Sequence, residues 1–288
     1  MFFSVLDWSQ GRPRFFFDDF AARRRRLMSP LGKTFTIERL PTRHCTGYYD
    51  LDTFETHPCP FGSSLPLDAK SNQCDSCKIK SGFNPAFYNT ENIAPQQQRY
   101  NEQPHSVYLA WFAPKVVKVG ISSVRREHTR LCEQGARYAV IVAQFDNAYL
   151  ARELESKLSE KEDVIERVAL GSKLKLFANC QFSLDQARMD IETILSKYQL
   201  ATVREYPIQD QFFFLDCAFS RAPVSIPQNT GEFISGRCVG MIGSIALMEQ
   251  NETLYLVPVQ SFKSHDVFLT PGKVLRKYVS EKKQLSLF

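Results

Sequence analysis

The chain has 288 residues, enough for roughly two domains of about 100 to 150 residues each, and 36 Lys and Arg against 31 Asp and Glu give it a formal net charge of +5. This modest excess permits nucleic-acid binding without requiring it, and it excludes a polycation. No segment reaches the roughly 18 apolar residues of a membrane span, and Ser4 and Asp7 interrupt the first apolar stretch, so we expect no membrane anchor and a cytoplasmic protein.

The first 43 or so residues combine aromatic residues with four consecutive arginines. Phe15, Phe16 and Phe17 are typical of a buried strand. The arginines at 23–26 fit either a solvated face or phosphate contacts, and the solvated face is the simpler explanation.

Half of the eight cysteines lie between residues 44 and 80, in a stretch rich in Gly, Pro, Ser and Asp that is typical of loops. Cys74 and Cys77 form a C-x2-C pair, a spacing that lets two thiolates reach one tetrahedral ion. The other two cysteines of this stretch each lie beside a Gly or Pro turn. The four cysteines together predict a closed, structural zinc site in a zinc-ribbon-like segment. The candidate ligands are Cys45, Cys59, Cys74 and Cys77, with His44 and His57 as alternatives.

Residues 84–104 lack periodicity and predict a linker, after which five elements follow in the order ββαβα. Apolar runs at 107–112 and 116–121 predict a hairpin, and a helix capped by Ser122 or Ser123 ends at Gln134, before Gly135. A third strand over 138–145 and a second helix from 148 to about 159 complete this module.

Further along, Ser183 predicts the start of a helix whose apolar residues follow the 3.6-residue period. Short alternating runs between 205 and 270 predict a small β domain. The pattern as a whole predicts an α+β fold. The expected regions are a cysteine-rich segment (1–83), a linker (84–104), the central module (105–202), a β-rich domain (203–272) and a charged tail (273–288).

The module carries side chains suited to phosphodiester chemistry. A tyrosine can assist an attacking water, an arginine can neutralise charge on the phosphate, and a carboxylate can hold Mg²⁺ or Mn²⁺. The candidates are Tyr108 and Lys118 on the strands, Arg126, His128 and Arg130 on the first helix, and Glu153 or Glu155 on the second, between which helical period does not choose.

Ser106-Val107-Tyr108 and Lys118-Val119-Gly120 stand where the two motifs of the GIY-YIG nuclease superfamily would be, and the module resembles a divergent member of it. The resemblance implies that Tyr108, Arg130 and Glu155 are catalytic, and that Glu155 rather than Glu153 binds the metal. Lys118 replaces the second tyrosine of the superfamily, and Lys118, Arg126 and His128 remain as possible phosphate contacts.

The runs VYLA, KVGIS, R-x3-QGA and ARELE resemble more closely an uncharacterised bacterial domain family that pairs a cysteine-rich N-terminal part with this core. Asn179 or Asp163 are candidates for completing the site, since the late asparagine of the superfamily has no clear counterpart here.

The last five residues are similar to the QL[SD]LF peptide with which bacterial polymerases and repair proteins bind the sliding clamp. Three apolar side chains can enter a groove while the glutamine forms hydrogen bonds at its rim. The residues are Gln284, Leu285, Ser286, Leu287 and Phe288.

These features predict a DNA-acting, clamp-associated protein at the bacterial nucleoid. It is either a metal-dependent endonuclease of repair or replication, or a non-catalytic DNA-binding adaptor. A protein that acts on RNA, or a purely structural one, is the third possibility.

Overall fold

The computed structural model describes residues 1–84, 86–87, 92–179, 183–208, 224–227, 229 and 231–279. No helix within these ranges is long and apolar enough to cross a membrane. The helices are α1 (Asp75–Ser81), α2 (Pro95–Asn101), α3 (Glu127–Gln134), α4 (Ala148–Ser159), α5 (Leu170–Asn179) and α6 (Leu184–Lys197).

A large antiparallel sheet joins the two ends of the chain. The N-terminal strands are β1 (Phe2–Asp7), β2 (Arg14–Asp19), β3 (Arg24–Met28) and β4 (Thr34–His44), and the C-terminal strands are β13 (Phe233–Ile242), β14 (Ile245–Gln250), β15 (Thr253–Pro258) and β16 (His265–Pro271). Strand β12 (Val224–Ser225) adds a parallel edge, which gives the order β12-β15-β14-β13-β4-β16-β1-β2-β3. The cysteine-rich segment and the β-rich domain therefore share one sheet.

Short strands β5 (Tyr48–Tyr49), β6 (Thr56–His57) and β7 (Ser64–Leu65) lie in the cysteine-rich segment, where β5 pairs with β6 and β7 pairs with the end of β4. Phe15 and Phe17 of β2 are buried as expected. Arg24 and Arg26 are exposed on β3, the edge strand, while Arg25 pairs with Asp18 at 2.7 Å. Most of the arginine run is thus a solvated strand edge.

The second sheet is the central module, and its five elements occur in the predicted order. The predicted cap of the first helix at Ser122 or Ser123 is wrong, because both serines belong to β9 and a 3-10 turn at Val124–Arg126 precedes α3. Strands β8 (His105–Ala113), β9 (Val116–Ser123), β10 (Tyr138–Phe145) and β11 (Arg204–Tyr206) form it in the order β11-β10-β8-β9. Gly135 ends α3 with φ +73°, the left-handed conformation that favours glycine. Asn147 and Ser183 cap α4 and α6 through their side chains.

The module sheet packs on both faces. Tyr108, Ala110 and Phe112 of β8 face the large sheet, and α3 and α5 contact strands of both sheets. Val107, Leu109 and Trp111 point the other way, where they pack with residues of α4 and α6. Alternation along β8 thus separates the module into two faces.

The structure differs from the expectation of a linker at residues 84–104, because α2 forms there with Pro95 in its first turn. Its buried face combines Tyr100 with two amides, of which Gln97 donates to Asn101 at 2.8 Å and accepts from the backbone of Asn84. A helix that buries polar side chains has no apolar period, which is why the pattern did not reveal it.

The start of the expected charged tail also lies on the protein. Tyr278 is buried, stacks on Phe233 and accepts a hydrogen bond from the backbone of Ser235 at 2.8 Å. The backbone of this segment also hydrogen-bonds to Thr36 and Gln250, so it lies along the large sheet with most of its side chains exposed.

Candidate functional site

Four cysteines converge on one point in the N-terminal segment. The Sγ atoms of Cys45, Cys59, Cys74 and Cys77 all lie within 4.8 Å of one another, and Cys59 and Cys74 are 4.0 Å apart. A tetrahedral ion with metal–sulfur bonds of about 2.3 Å places its sulfur atoms about 3.8 Å apart. The four thiols can therefore hold a metal ion such as zinc, and a site closed by four thiolates leaves no position for substrate.

Local backbone geometry explains how these thiols meet. Cys45 follows β4, and its sulfur accepts hydrogen bonds from the backbone amides of Cys74 at 3.1 Å and Gly47 at 3.4 Å. Gly47 has φ +85°, and a Cβ there would collide with the carbonyl group of His57. Glycine at this position lets the two chain segments approach closely.

A buried arginine organises the loop that separates the second and third thiols. The Arg43 guanidinium donates to the carbonyl oxygens of Leu67 at 2.9 Å and Ala69 at 2.8 Å, and to the side chain of Asn72 at 2.8 Å. These hydrogen bonds hold in place a loop that has few core residues, so a bound metal is not the only interaction that orders the loop.

The thiols differ in acidity. Burial raises the pKa of the Cys45 thiol to about 11 and also raises the pKa of Cys77. Burial also acts to raise the pKa of the Cys59 thiol. Hydrogen bonds from the backbone amides of Ser63 and Phe61 outweigh this effect and lower the pKa of Cys59 to about 7. Among these three thiols, Cys59 therefore has the lowest pKa.

The alternative histidine ligands are engaged elsewhere. His44 Nε2 lies 2.9 Å from a carboxylate oxygen of Asp266, and His57 stacks on Tyr48 with ring centroids 5.0 Å apart. Of the other four cysteines, Cys132 and Cys238 are buried, whereas Cys180 and Cys217 lie outside the described residues.

The cysteine-rich segment contacts the turn that precedes α3. The Arg126 guanidinium lies 4.9 Å from the ring centroid of Tyr49, and Arg125 lies 4.6 Å from that of Phe54. Arg126 also pairs with Glu133 at 2.8 Å. Arg126, expected as a phosphate contact, is therefore part of this internal contact.

The two motif positions of the hairpin lie together. Tyr108 and Gly120 are directly opposite each other on β8 and β9, and the Tyr108 hydroxyl lies over Gly120, where a Cβ would collide with it. Lys118 shares this face, with its ammonium 5.5 Å from the Tyr108 ring centroid and 2.7 Å from the carbonyl oxygen of Val119. Tyr108 is only 1% exposed, and the amide of Gln134 donates to its hydroxyl.

A lysine that the sequence did not single out completes this face. The Lys173 ammonium donates to the carbonyl oxygen of Gln134, and the charges of Lys118 and Arg130 act on it. The pKa of Lys173 is lowered to about 8, mainly by burial and to a smaller extent by the charges of Lys118 and Arg130. Arg130 itself is 46% exposed and has Glu133 as a distant partner at 3.8 Å.

Glu155 lies away from this cationic face. It is 6% exposed on α4, whose Ala151 and Leu158 pack on the opposite face of the sheet, and its carboxylate accepts a hydrogen bond from Arg152 at 2.5 Å. Among the described residues, the four cysteines are the only cluster of three or more ligands suited to a metal ion. The surroundings of Glu155 therefore do not fit a catalytic Mg²⁺ or Mn²⁺.

The other candidates have structural surroundings. His128 packs near Tyr206 of β11, at the sheet edge away from β9, and burial lowers its pKa. Glu153 is exposed on α4, and Asp163 pairs with Lys197 at 2.6 Å. The side chain of Asn179 and the clamp-like motif at 284–288 lie outside what the structure describes.

Comparison with known proteins gives a family for the chain. No curated protein and no solved structure matches it. The sequence model of the family described as "Protein of unknown function (DUF2797)" matches residues 32–267, from β4 into β16, and so spans the cysteine cluster and the central module. The expected resemblance to an uncharacterised domain family is confirmed, and the chain belongs to the DUF2797 family.

Proposed function

We propose that this chain binds DNA through the cationic face of its central module, and that the motif at Gln284–Phe288 brings it to the sliding clamp. The observation that carries the proposal is the Lys118 ammonium beside Tyr108 and Gly120, together with Lys173, on which the charges of Lys118 and Arg130 both act. Basic side chains from separate elements that act on one another next to an aromatic ring suit a backbone phosphate. Zinc on the four thiolates would brace the segment that contacts the start of α3.

Fluorescence anisotropy with linear, nicked and branched DNA tests the binding. Lys118→Met and Arg130→Met should each lower affinity about tenfold and reduce the salt dependence by about one phosphate contact. Lys157→Met removes an exposed charge from α4, on the other side of the sheet, and should leave affinity unchanged. Equal loss in all three variants would mean that only net charge matters, and RNA of the same sequence shows whether DNA is preferred.

A pull-down of purified clamp tests the recruitment. Full-length protein should retain the clamp, whereas Leu287→Ala and a chain ending at residue 283 should not. Ser286→Asp is the matched control, because the motif tolerates either residue, and it should bind as the wild type does. Recovery of the clamp by the shortened chain would remove this part of the proposal.

A second candidate is an endonuclease of the GIY-YIG type, supported by the position of the Tyr108 hydroxyl opposite Gly120. The amide of Gln134 covers that hydroxyl, and Glu155 would have to leave Arg152 to serve as a metal ligand. Incubation of the same DNA substrates with Mg²⁺ or Mn²⁺ decides between enzyme and adaptor. Cleavage that disappears in Tyr108→Phe, Arg130→Ala and Glu155→Ala would establish the nuclease, whereas binding without cleavage supports the adaptor.

A further inference from the structure

Lys173 is held in place from several sides. Helix α5 contacts β8 of the module and β15 of the large sheet, and its Lys173 side chain is half-buried. The ammonium lies 4.8 Å from the ring centroid of Phe112 and donates to the carbonyl oxygen of Gln134. An amine with these contacts has a defined position, unlike a lysine on a solvated helix face.

The charges around Lys173 do not balance it. Two positive charges act on the Lys173 ammonium, that of Lys118 on β9 and that of Arg130 on α3. The other neighbouring groups, the Tyr108 hydroxyl on β8 and the Gln134 amide on α3, are neutral. Glu133 lies 3.8 Å from Arg130 but 2.8 Å from Arg126, with which it makes the closer ion pair. Lys118 thus lies at the ring of the buried Tyr108, and Lys173, on a separate element, is close enough to Lys118 and Arg130 for both charges to act on it.

Such an arrangement costs free energy in the absence of an anion, because each charge is partly removed from water and repelled by the others. An anion with several oxygens relieves both costs at once, since each basic group can donate to a different oxygen. A phosphate group has that shape and charge, and the neighbouring hydroxyl and amide can donate to it after a small side-chain movement.

We propose that Lys118, Arg130 and Lys173 together hold one phosphate group, with Lys173 as its innermost ligand. This inference rests on the proposed DNA binding, where the ligand is a backbone phosphodiester, and inorganic phosphate is the probe of the shared chemistry. Binding is coupled to proton uptake: above about pH 8 the free protein has lost the Lys173 proton, which the bound phosphate restores.

The test compares wild type, Lys173→Met and Lys175→Met as full chains. Methionine keeps an unbranched side chain over Phe112 without the charge, and Lys175 is an exposed lysine on the same helix. We expect Lys173→Met to weaken DNA binding about tenfold at pH 7 and Lys175→Met to change it less than twofold. The wild type should lose affinity from pH 8 to 9.5, and Lys173→Met should lose that dependence. Thermal unfolding in parallel confirms that the variants fold.

Titration of inorganic phosphate by calorimetry separates this inference from the proposed function. Saturable phosphate binding that Lys173→Met removes and Lys175→Met retains supports the site, whether or not DNA binds. If DNA binds equally well to both variants, Lys173 is not a ligand, although DNA binding itself stands. If the wild type binds neither phosphate nor DNA, both proposals fail.

Discussion

Tyr108 and Gly120 face each other across the antiparallel pair β8 and β9, and the tyrosine hydroxyl occupies the space that a side chain at residue 120 would fill. An aromatic ring over a glycine on the neighbouring strand supplies packing that the glycine lacks. The glycine in turn allows Lys118 and Tyr108 to share one small area.

Gly120→Ala should therefore disturb both stability and binding. The added methyl group would collide with the buried Tyr108 ring and lie 2.9 Å from the Lys118 nitrogen, so the tyrosine must move, at about 1–3 kcal/mol. Urea unfolding and DNA anisotropy measure the two effects. Gly171→Ala is the matched control, because a Cβ there meets no atom within 4 Å, and it should be neutral or slightly stabilising. Equal stability of the two variants would contradict the close contact.

Metal content gives a second prediction. One tightly bound zinc ion per chain is expected, and Cys74→Ser should lose it, whereas Cys132→Ala, which changes a buried thiol of helix α3, should retain it. Metal affinity should fall as the pH is lowered, because protons compete for the thiolates. Metal analysis by mass spectrometry across pH 5 to 8 measures both, and folded wild-type protein without metal would contradict the site.

Loss of the metal should also weaken DNA binding. Tyr49 of the cysteine-rich segment contacts Arg126 in the turn before α3, and α3 contains Arg130. A chelator should therefore lower both the melting temperature and the DNA affinity, and added zinc should restore them. Unchanged affinity in the metal-free protein would show that the two sites are independent.

A buried carboxylate gives a further prediction. Glu127 is 1% exposed and accepts hydrogen bonds from Ser106, Gln144 at 3.2 Å, Arg204 at 2.5 Å and Tyr206 at 2.7 Å, which joins three strands of the module to α3. Glu127→Gln should lower the free energy of unfolding by about 1–3 kcal/mol, because buried donors lose an acceptor. Glu153→Gln, on the exposed face of α4, should change it little, and denaturation curves that coincide for the two variants would refute the role.

Local signals were enough to predict the module. The strand Tyr138–Phe145 and the helix Ala148–Ser159 have the predicted bounds, because alternation, helical period and the Gly135 cap all lie within a few residues of the elements they specify. The cysteine site was recognisable because two of its thiols are three residues apart on one helical turn.

Contacts between distant residues were not predictable from pattern. Strand β4 pairs with β13 and β16, whose residues lie about 200 positions later, so one sheet contains two regions with separate local signals. Helical period could not choose between Glu153 and Glu155, and the structure shows the second paired with Arg152. Lys173 is one of two lysines on the amphipathic helix α5, and only the packing of α5 brings it near Lys118.

The lowered pKa of Lys173 makes a prediction about stability that does not depend on any ligand. Between about pH 8 and its ordinary value of 10.5, the unfolded chain carries a proton at this amine that the folded chain has lost. Because the unfolded state binds more protons there, stability should rise with pH through this window, by at most about 3 kcal/mol.

Lys173→Met should lack that rise, and it should be more stable than the wild type at pH 7, where the wild type holds a third positive charge beside Lys118 and Arg130. Urea unfolding of both proteins at pH 7 and pH 10 provides the comparison, since the other titrating groups are common to both and cancel in the difference. Parallel behaviour at the two pH values would mean that the amine is well solvated. A stabilising substitution that also removes phosphate binding would show that the charge is kept for the ligand rather than for the fold.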